Sequence, residues 1–139
     1  MSSQSLDLQK PLGASAEDYL EAIYILSQED NLQSGVHSVD VASRLGVTKS
    51  SVSRMIATLK DAGLVDQQPY GSITLTSAGQ ASAEEILATH KTLYTFLVSV
   101  LGVTPDVADE EACTMEHALS RDTQHKWAQF MREYGFLSN

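Results

Sequence analysis

The sequence of 139 residues predicts a mainly α-helical protein, a winged helix-turn-helix domain followed by an all-helical domain. Two short helical patterns are joined by Gly46-Val47-Thr48 and followed at once by a hairpin pattern, which is the order of elements in a winged helix-turn-helix. Every segment after the hairpin has helical hydrophobic spacing. We therefore expect a flexible tail at 1–13, the winged domain at 14–76 and the helical domain at 77–139.

The first helix is predicted from Ser15 to about Gln28. Ser15 has the properties of an N-cap, and acidic residues follow it in the first turn. The polar segment Asn31–Gly35 is expected to form a loop. The apolar residues of this helix recur at helical spacing, and they are Tyr19, Leu20, Ile23, Tyr24 and Leu26.

The helix-turn-helix follows from two more helical patterns. A short helix, Ser38–Leu45, is ended by Gly46, and Thr48 caps a longer helix from Lys49 to about Ala62. A small core fixes the angle between the two helices in this prediction, and its members are Ala42, Leu45, Val47, Val52 and Ile56.

The wing and the second domain complete the predicted order. Leu64–Gln68 and Ser72–Leu75 have strand patterns around the turn Pro69-Tyr70-Gly71. The motif Thr104-Pro105-Asp106 is typical of a helix start because it combines a cap, a proline and an acid. Three helices are predicted after the wing, with bounds of about Ser77–Leu101, Pro105–Leu119 and Arg121–Tyr134.

The distribution of charge favours DNA binding by the second helix of the helix-turn-helix. The whole chain carries a net charge of -9, which as an average opposes contact with phosphates. From His37 to Lys60, however, four cations face a single acid, a local charge of +3. Polar side chains in the N-terminal half of a recognition helix reach DNA in the major groove. The predicted DNA-binding residues are Thr48, Lys49, Ser50, Ser51, Ser53, Arg54 and, in the wing, Tyr70.

Purely structural interpretations of these residues stay open. The second helix could present only a serine-rich solvated surface. Gln68 and Tyr70 could close the hairpin without touching phosphate. The second domain contains more apolar residues than a small helix-turn-helix protein needs, which favours a homodimer. These residues could also form only an internal core. They are Leu93, Phe96, Leu97, Val100, Leu101, Trp127, Phe130 and Met131.

The cysteine content and the N-terminus indicate a cytoplasmic protein. Cys113 is the only cysteine, so an internal disulfide is excluded. The first residues have neither the basic nor the apolar region of a signal peptide. No apolar run reaches the roughly 18 residues that a membrane span needs.

Several potential metal ligands share helical faces. Cys113, Glu116 and His117 stand at i, i+3 and i+4, and Asp18 and Glu21 stand at i and i+3 of the first helix. With His90 in the long helix, these thiol, carboxylate and imidazole groups could hold a divalent transition ion. Singly, each has another explanation, since Asp18 could complete a capping box, Cys113 could be a small core residue and His90 a hydrogen-bonded core histidine.

The chain resembles the diphtheria-toxin-repressor family (DtxR/MntR) of iron- and manganese-dependent regulators. The likeness runs from about Ser15 to Trp127, and the Glu-Ala-Cys-x-x-Glu-His string is specific. The matching stretches are Glu17–Tyr24, Arg44–Val65, Tyr70-Gly71 through Leu75-Thr76 with Gly79, His90, and Glu111-Ala112-Cys113 through Glu116-His117.

The resemblance implies a ligand set for the metal. Asp18 and Glu21 match first-helix ligands of manganese sensors, whereas Cys113 stands where manganese sensors tend to have Glu and iron sensors have Cys. Tyr94 and Asp109 replace an acid and a histidine of the iron sensors' ancillary site, so that site is not carried over. The implied metal ligands are Asp18, Glu21, His90, Cys113, Glu116 and His117.

The resemblance also implies a function. We expect a repressor that binds double-stranded operator DNA as a homodimer when loaded with Mn(II), or alternatively Fe(II), and that controls metal-uptake genes. Zn(II) or other divalent ions could substitute. An alternative is a winged-helix regulator that responds to a small organic ligand without metal. An enzyme is not expected, because six candidate ligands leave little room for an open coordination position. A small-molecule substrate and a membrane partner are not expected either.

Overall fold

The computed structural model describes residues 15–29, 35–68 and 71–138, and the chain forms two compact units that divide between Glu84 and Glu85. The predicted tail, nearly all of the predicted loop at 31–35 and the wing tip Pro69-Tyr70 lie outside the described residues. The predicted fold class is confirmed. The first unit contains α1 (Ala16–Glu29), α2 (Ser38–Leu45), α3 (Lys49–Asp61), β1 (Val65–Gln67) and β2 (Ile73–Leu75).

Local signals in the sequence set the ends of the first helices. Ser15 and Asp18 form a reciprocal capping box at α1, because the Ser15 N–H donates to Asp18 Oδ2 at 2.9 Å and the Asp18 N–H donates to Ser15 Oγ at 3.2 Å. Gly46 adopts the left-handed conformation (φ +68°) that ends α2. The Thr48 side chain accepts from the Ser51 N–H at the start of α3.

The wing is a two-stranded antiparallel sheet that gains a bridge from outside the hairpin. Val65 pairs with Leu75 and Gln67 with Ile73. Val36, just before α2, exchanges two backbone hydrogen bonds with Ile73 at 2.7 and 2.8 Å. The wing is thereby tied to the helix-turn-helix. The core of the unit is apolar and fully buried, and it includes Ile23, Val36, Val41, Val52, Ile56, Leu59, Val65 and Ile73.

The second unit is helical. The long helix α4 (Ser77–Thr95) begins in the first unit and continues into the second, where α5 (Pro105–Ala118) and α6 (Arg121–Glu133) follow. The prediction of one regular helix up to Leu101 is wrong for its last turn, because Phe96–Val100 is a π-helical turn. Hydrophobic spacing does not reveal such a turn, since one extra residue shifts only the last few side chains.

Some of the apolar residues that could have formed a dimer interface lie instead in the core of the second unit. Leu93 and Leu97 pack with Ala108 and Ala112, and Phe96 meets Trp127 edge to face with ring centroids 5.2 Å apart. Met131 is also fully buried. The exposed members of the set are Val100, Leu101 and Phe130. Among the described residues, no helix combines the length and the apolar character needed to cross a bilayer.

Gly79 lets α4 approach the wing closely. A Cβ atom at this position would lie 1.9 Å from the carbonyl oxygen of Leu64. The approach is reinforced by Thr76, whose N–H donates to that oxygen and whose hydroxyl donates to the Gly63 carbonyl. The backbone of α4 thus rests directly on the residue that precedes β1.

We predict that Gly79→Ala lowers the free energy of unfolding by about 1–3 kcal/mol or more, because the new methyl group must displace backbone. Equilibrium urea unfolding of the metal-free protein measures the change. Helix propensity alone would make alanine stabilising by about 1 kcal/mol. A more stable variant would therefore contradict the close approach.

Candidate functional site

The N-terminal half of α3 presents a polar surface. Lys49, Ser50, Ser53 and Arg54 are exposed, as a DNA-reading helix requires. Ser51 is half-buried, and its hydroxyl accepts from Arg54 Nη2 at 3.4 Å.

Two of the predicted DNA-binding residues also serve the helix itself. Thr48 Oγ1 accepts from the Ser51 N–H at 3.1 Å, so both residues form the N-terminal cap of α3. The same hydroxyl donates to Ser51 Oγ at 3.0 Å. Tyr70 in the wing lies outside the described residues. None of these contacts tests whether DNA is bound, and the set stays a prediction.

Glu116 is the most unusual residue of the second unit, because its carboxylate is almost wholly buried. Only 2% of its side chain is exposed. One oxygen, Oε1, lies 3.0 Å from His90 Nδ1. Within the described residues, Oε2 is buried and has no hydrogen-bond partner, since His117 Nε2 stands 3.9 Å away. A buried carboxylate oxygen without a partner is costly, so this atom calls for a cation or a donor.

His90 joins α4 to α5 through both ring nitrogens. Nδ1 meets Glu116, and Nε2 lies 2.9 Å from Asp109 Oδ1. The hydrogen bond with Glu116, opposed by burial and aided by Asp109, raises the pKa of His90 from 6.5 to about 9. The imidazole is therefore protonated at neutral pH and supplies positive charge to the two carboxylates.

Cys113 and His117 complete one face of α5. Both side chains are half-buried, and the Cys113 sulfur lies within 4.8 Å of a ring nitrogen of His117. Ala108 and Ala112, on the buried side of the same helix, hold it against the core. The predicted spacing thus places Cys113, Glu116 and His117 together with His90 in the second unit.

Asp18 and Glu21 belong to the first unit. Asp18 performs the capping role that was its simpler interpretation, since its Oδ2 accepts from the Ser15 N–H. A carboxylate has about four lone-pair sites, so Asp18 can accept the capping hydrogen bond and still coordinate a cation. Glu21 is half-buried, one turn further along α1.

Asp109 contacts His90 although the sequence reasoning did not count it among the ligands. It stands four residues before Cys113 and seven before Glu116, which is the same helical face, and this spacing was the available signal. An open groove of about 450 Å³ lies beside it and gives access from solvent to His90. Its lining residues are His90, Lys91, Tyr94, Pro105, Asp106 and Asp109.

The donor atoms of the second unit fit a divalent transition ion. Imidazole nitrogen, carboxylate oxygen and thiolate sulfur all bind such ions. The assignment depends on Glu116 Oε2, which is buried and has no hydrogen-bond partner in the part of the chain that the structure describes.

Two domain families match the sequence. One is described as "Iron dependent repressor, N-terminal DNA binding domain" and matches residues 11–73. The other is described as "Iron dependent repressor, metal binding and dimerisation domain" and matches residues 76–136. Together the two matches cover most of the chain.

Individual proteins are similar over most of this chain. An uncharacterised HTH-type transcriptional regulator of Methanocaldococcus jannaschii is 39% identical over 123 residues, which are 88% of this chain and 97% of that protein. The transcriptional regulator MntR of Escherichia coli is 34% identical over 119 residues, 86% of this chain and 74% of that protein.

A solved structure has a similar fold. A manganese-dependent transcriptional repressor in complex with manganese superposes with a TM-score of 0.74 at 34% identity. The comparison covers 90% of this chain and 55% of that one. The chain therefore spans about half the length of this solved relative.

The raised pKa of His90 predicts how stability depends on pH. A group whose pKa is higher in the folded protein stabilises the fold fully below its unfolded value, near 6.5, and this contribution is lost as the pH rises through about 9. We predict that the difference in free energy of unfolding between wild type and His90→Gln shrinks over this interval. Urea unfolding at a series of pH values with a chelator measures it. A constant difference would contradict the protonated His90–Glu116 pair.

Proposed function

Because the chain belongs to the family of iron-dependent repressors, we propose that it binds operator DNA as a homodimer when a divalent metal ion is bound, and so represses metal-uptake genes. Family members are metal-dependent transcriptional repressors rather than enzymes. In this proposal residues 14–76 bind DNA, residues 77–139 bind metal and dimerise, and the protein acts in the cytoplasm. The alternative of a small organic effector has no supporting observation.

The observation that carries the proposal is the buried Glu116 carboxylate. Its Oε1 is neutralised by His90, but its Oε2 has no hydrogen-bond partner among the described residues. A purely structural glutamate at this place would be expected to have donors on both oxygens. A bound divalent cation would supply the missing partner for this oxygen.

The proposed ligand set takes residues from both units. His90, Cys113, Glu116 and His117 come from the second unit, and Asp18 and Glu21 come from α1. Support for the α1 pair is chemical: carboxylates are good ligands for Mn(II), and Asp18 retains lone pairs after capping. In this proposal, an ion bound by the whole set would couple the helix that begins the DNA-binding domain to the metal-binding helices.

Mn(II) is the proposed ion, with Fe(II) as the alternative. Three carboxylates give an oxygen-rich set, which suits Mn(II), whereas the Cys113 thiolate favours a softer ion. Two relatives, each 34% identical, support manganese: a structure described as a manganese-dependent repressor in complex with manganese, and the MntR regulator.

Electrostatics provides the coupling between metal and DNA. Without a cation, Asp18, Glu21 and Glu116 repel one another when brought together, and His90 compensates only one of these charges. The position of α1, and with it that of α3, is then weakly restrained. When the repulsion is removed, the two α3 helices of a dimer can hold the spacing of about 34 Å that successive major grooves require. A coupling of about 1–3 kcal/mol corresponds to a 5–150-fold change in operator affinity.

The dimer interface is proposed to use the exposed apolar side chains of the second unit. Leu101, Phe130 and Tyr134 are 59%, 45% and 66% exposed, which is unusual for large apolar residues. Phe130 and Tyr134 also pack against each other, with centroids 4.5 Å apart.

We predict that Glu116→Gln removes the metal dependence of operator binding. The amide keeps the side-chain volume but lacks the negative charge, so the 5–150-fold effect of Mn(II) should fall to about one-fold. Fluorescence anisotropy with operator DNA, with and without Mn(II), measures the ratio. Glu110→Gln on the exposed side of α5 is the matched control and should respond as the wild type does. A normal response of Glu116→Gln would refute the assignment.

We further predict that Arg54→Ala weakens binding to all DNA sequences, because one phosphate contact is lost. The slope of log affinity against log salt concentration should become less steep by about 1. Lys60→Ala, in the last turn of the same helix, is the matched control, with a smaller change expected. Equal effects of the two variants would show that the N-terminal half of α3 is not the part that faces DNA.

A further inference from the structure

The end of helix α5 is held by a side chain from the following helix. The helix stops at Ala118, and Leu119 is extended (φ -93°, ψ 143°), so the carbonyl groups of the last turn lack the N–H donors that a longer helix would provide. Gln124 in α6 supplies them. Its Nε2 donates to the carbonyl oxygens of Glu116 at 3.0 Å and Leu119 at 3.3 Å.

The same amide also reaches α4. Its Oε1 accepts from the hydroxyl of Thr89 at 3.2 Å, and Thr89 is buried. The orientation of the amide is fixed chemically, because two carbonyl oxygens can meet only the NH₂ end and the hydroxyl then meets the oxygen. Both hydrogens and the oxygen of the Gln124 amide are thus used within the second unit.

These contacts reach one proposed ligand, through its backbone carbonyl, and the chain neighbour of another. Thr89 directly precedes His90, and the Glu116 carbonyl belongs to the residue whose carboxylate meets His90. We propose that Gln124 is a positioning residue for the metal centre, which sets Glu116 on α5 in register with His90 on α4. This inference rests on the proposed metal-binding function.

The physical argument concerns the precision that a metal site needs. Groups outside the ligand shell that orient the ligands typically change metal affinity 10–100-fold when mutated. The Glu116 side chain hydrogen-bonds to His90, and the hydrogen bond from Gln124 to the Glu116 carbonyl restrains the backbone from which that side chain extends. Without Gln124, two carbonyl oxygens at the end of α5 lose their side-chain donor, and the link from them to Thr89 on α4 is broken.

The experiment compares three single variants with the wild type. Gln124→Met keeps the length of the side chain and removes all its hydrogen bonds. Gln129→Met is the matched control, because Gln129 lies on the same helix, is exposed and donates a hydrogen bond to Glu133 within that helix. Thr89→Val removes only the hydroxyl. Mn(II) affinity, the visible absorption of the Co(II)-loaded protein and the melting temperature of the metal-free protein are measured for each.

The expected result is a loss of Mn(II) affinity of about 10-fold or more in Gln124→Met, with an altered Co(II) spectrum at saturating metal. Thr89→Val should show a smaller loss of Mn(II) affinity. A double variant that combines Gln124→Met with Thr89→Val should bind Mn(II) no more weakly than Gln124→Met alone, because both changes break one network. Gln129→Met should match the wild type in every measurement.

Other outcomes overturn the inference. A lower melting temperature of Gln124→Met with unchanged Mn(II) affinity and Co(II) spectrum would mean a structural role alone. If Gln124→Met does not fold, unchanged affinity and spectrum in Thr89→Val overturn the inference instead. If neither the wild type nor Gln129→Met binds Mn(II) or Co(II), the proposed metal-binding function itself is wrong. This result differs from the ones that overturn only the positioning role of Gln124.

Discussion

The buried carboxylate of Glu116 constrains the second unit more than any apolar contact does. Moving an ionised carboxylate out of water is strongly unfavourable unless its charge and lone pairs are matched. His90 matches one oxygen, and the raised pKa of His90 is the counterpart of that stabilisation. The second oxygen is left without a hydrogen-bond partner among the described residues. The metal-free unit therefore keeps a buried carboxylate oxygen whose hydrogen-bonding capacity is unmet within the described residues.

Local signals explain how much of the fold could be predicted. The capping residues Ser15 and Thr48 and the turn residue Gly46 act within a few positions of the chain, so their roles follow from sequence. The Val36–Ile73 bridge joins residues far apart in sequence and has no local signature. The π-helical turn at Phe96–Val100 could not be predicted either, because one extra residue in the last turn barely changes the hydrophobic spacing.

The same distinction applies to the candidate site. Cys113, Glu116 and His117 share a face of one helix, so spacing alone groups them, but their meeting with His90 depends on how α4 and α5 pack. Asp109 shares that face by its spacing, but in the sequence it was considered only as a departure from the ancillary site, so its contact with His90 was not predicted. Gln124 could not be found from sequence, since its importance comes from three hydrogen bonds to residues five to thirty-five positions away.

Protonated His90 also bears on how a weakly binding ion could be sensed. A ring nitrogen must lose its proton before it can bind a metal, so a His90 pKa of about 9 makes the proton a competitor at neutral pH. This competition lowers the affinity for every divalent ion alike and therefore sets the concentration at which the site responds, rather than which ion it accepts. The choice among ions is then left to the ligand types, and here the Cys113 thiolate opposes the carboxylates. In the proposed function, His90 thus acts on the threshold through its proton and on the choice of ion through its nitrogen donor.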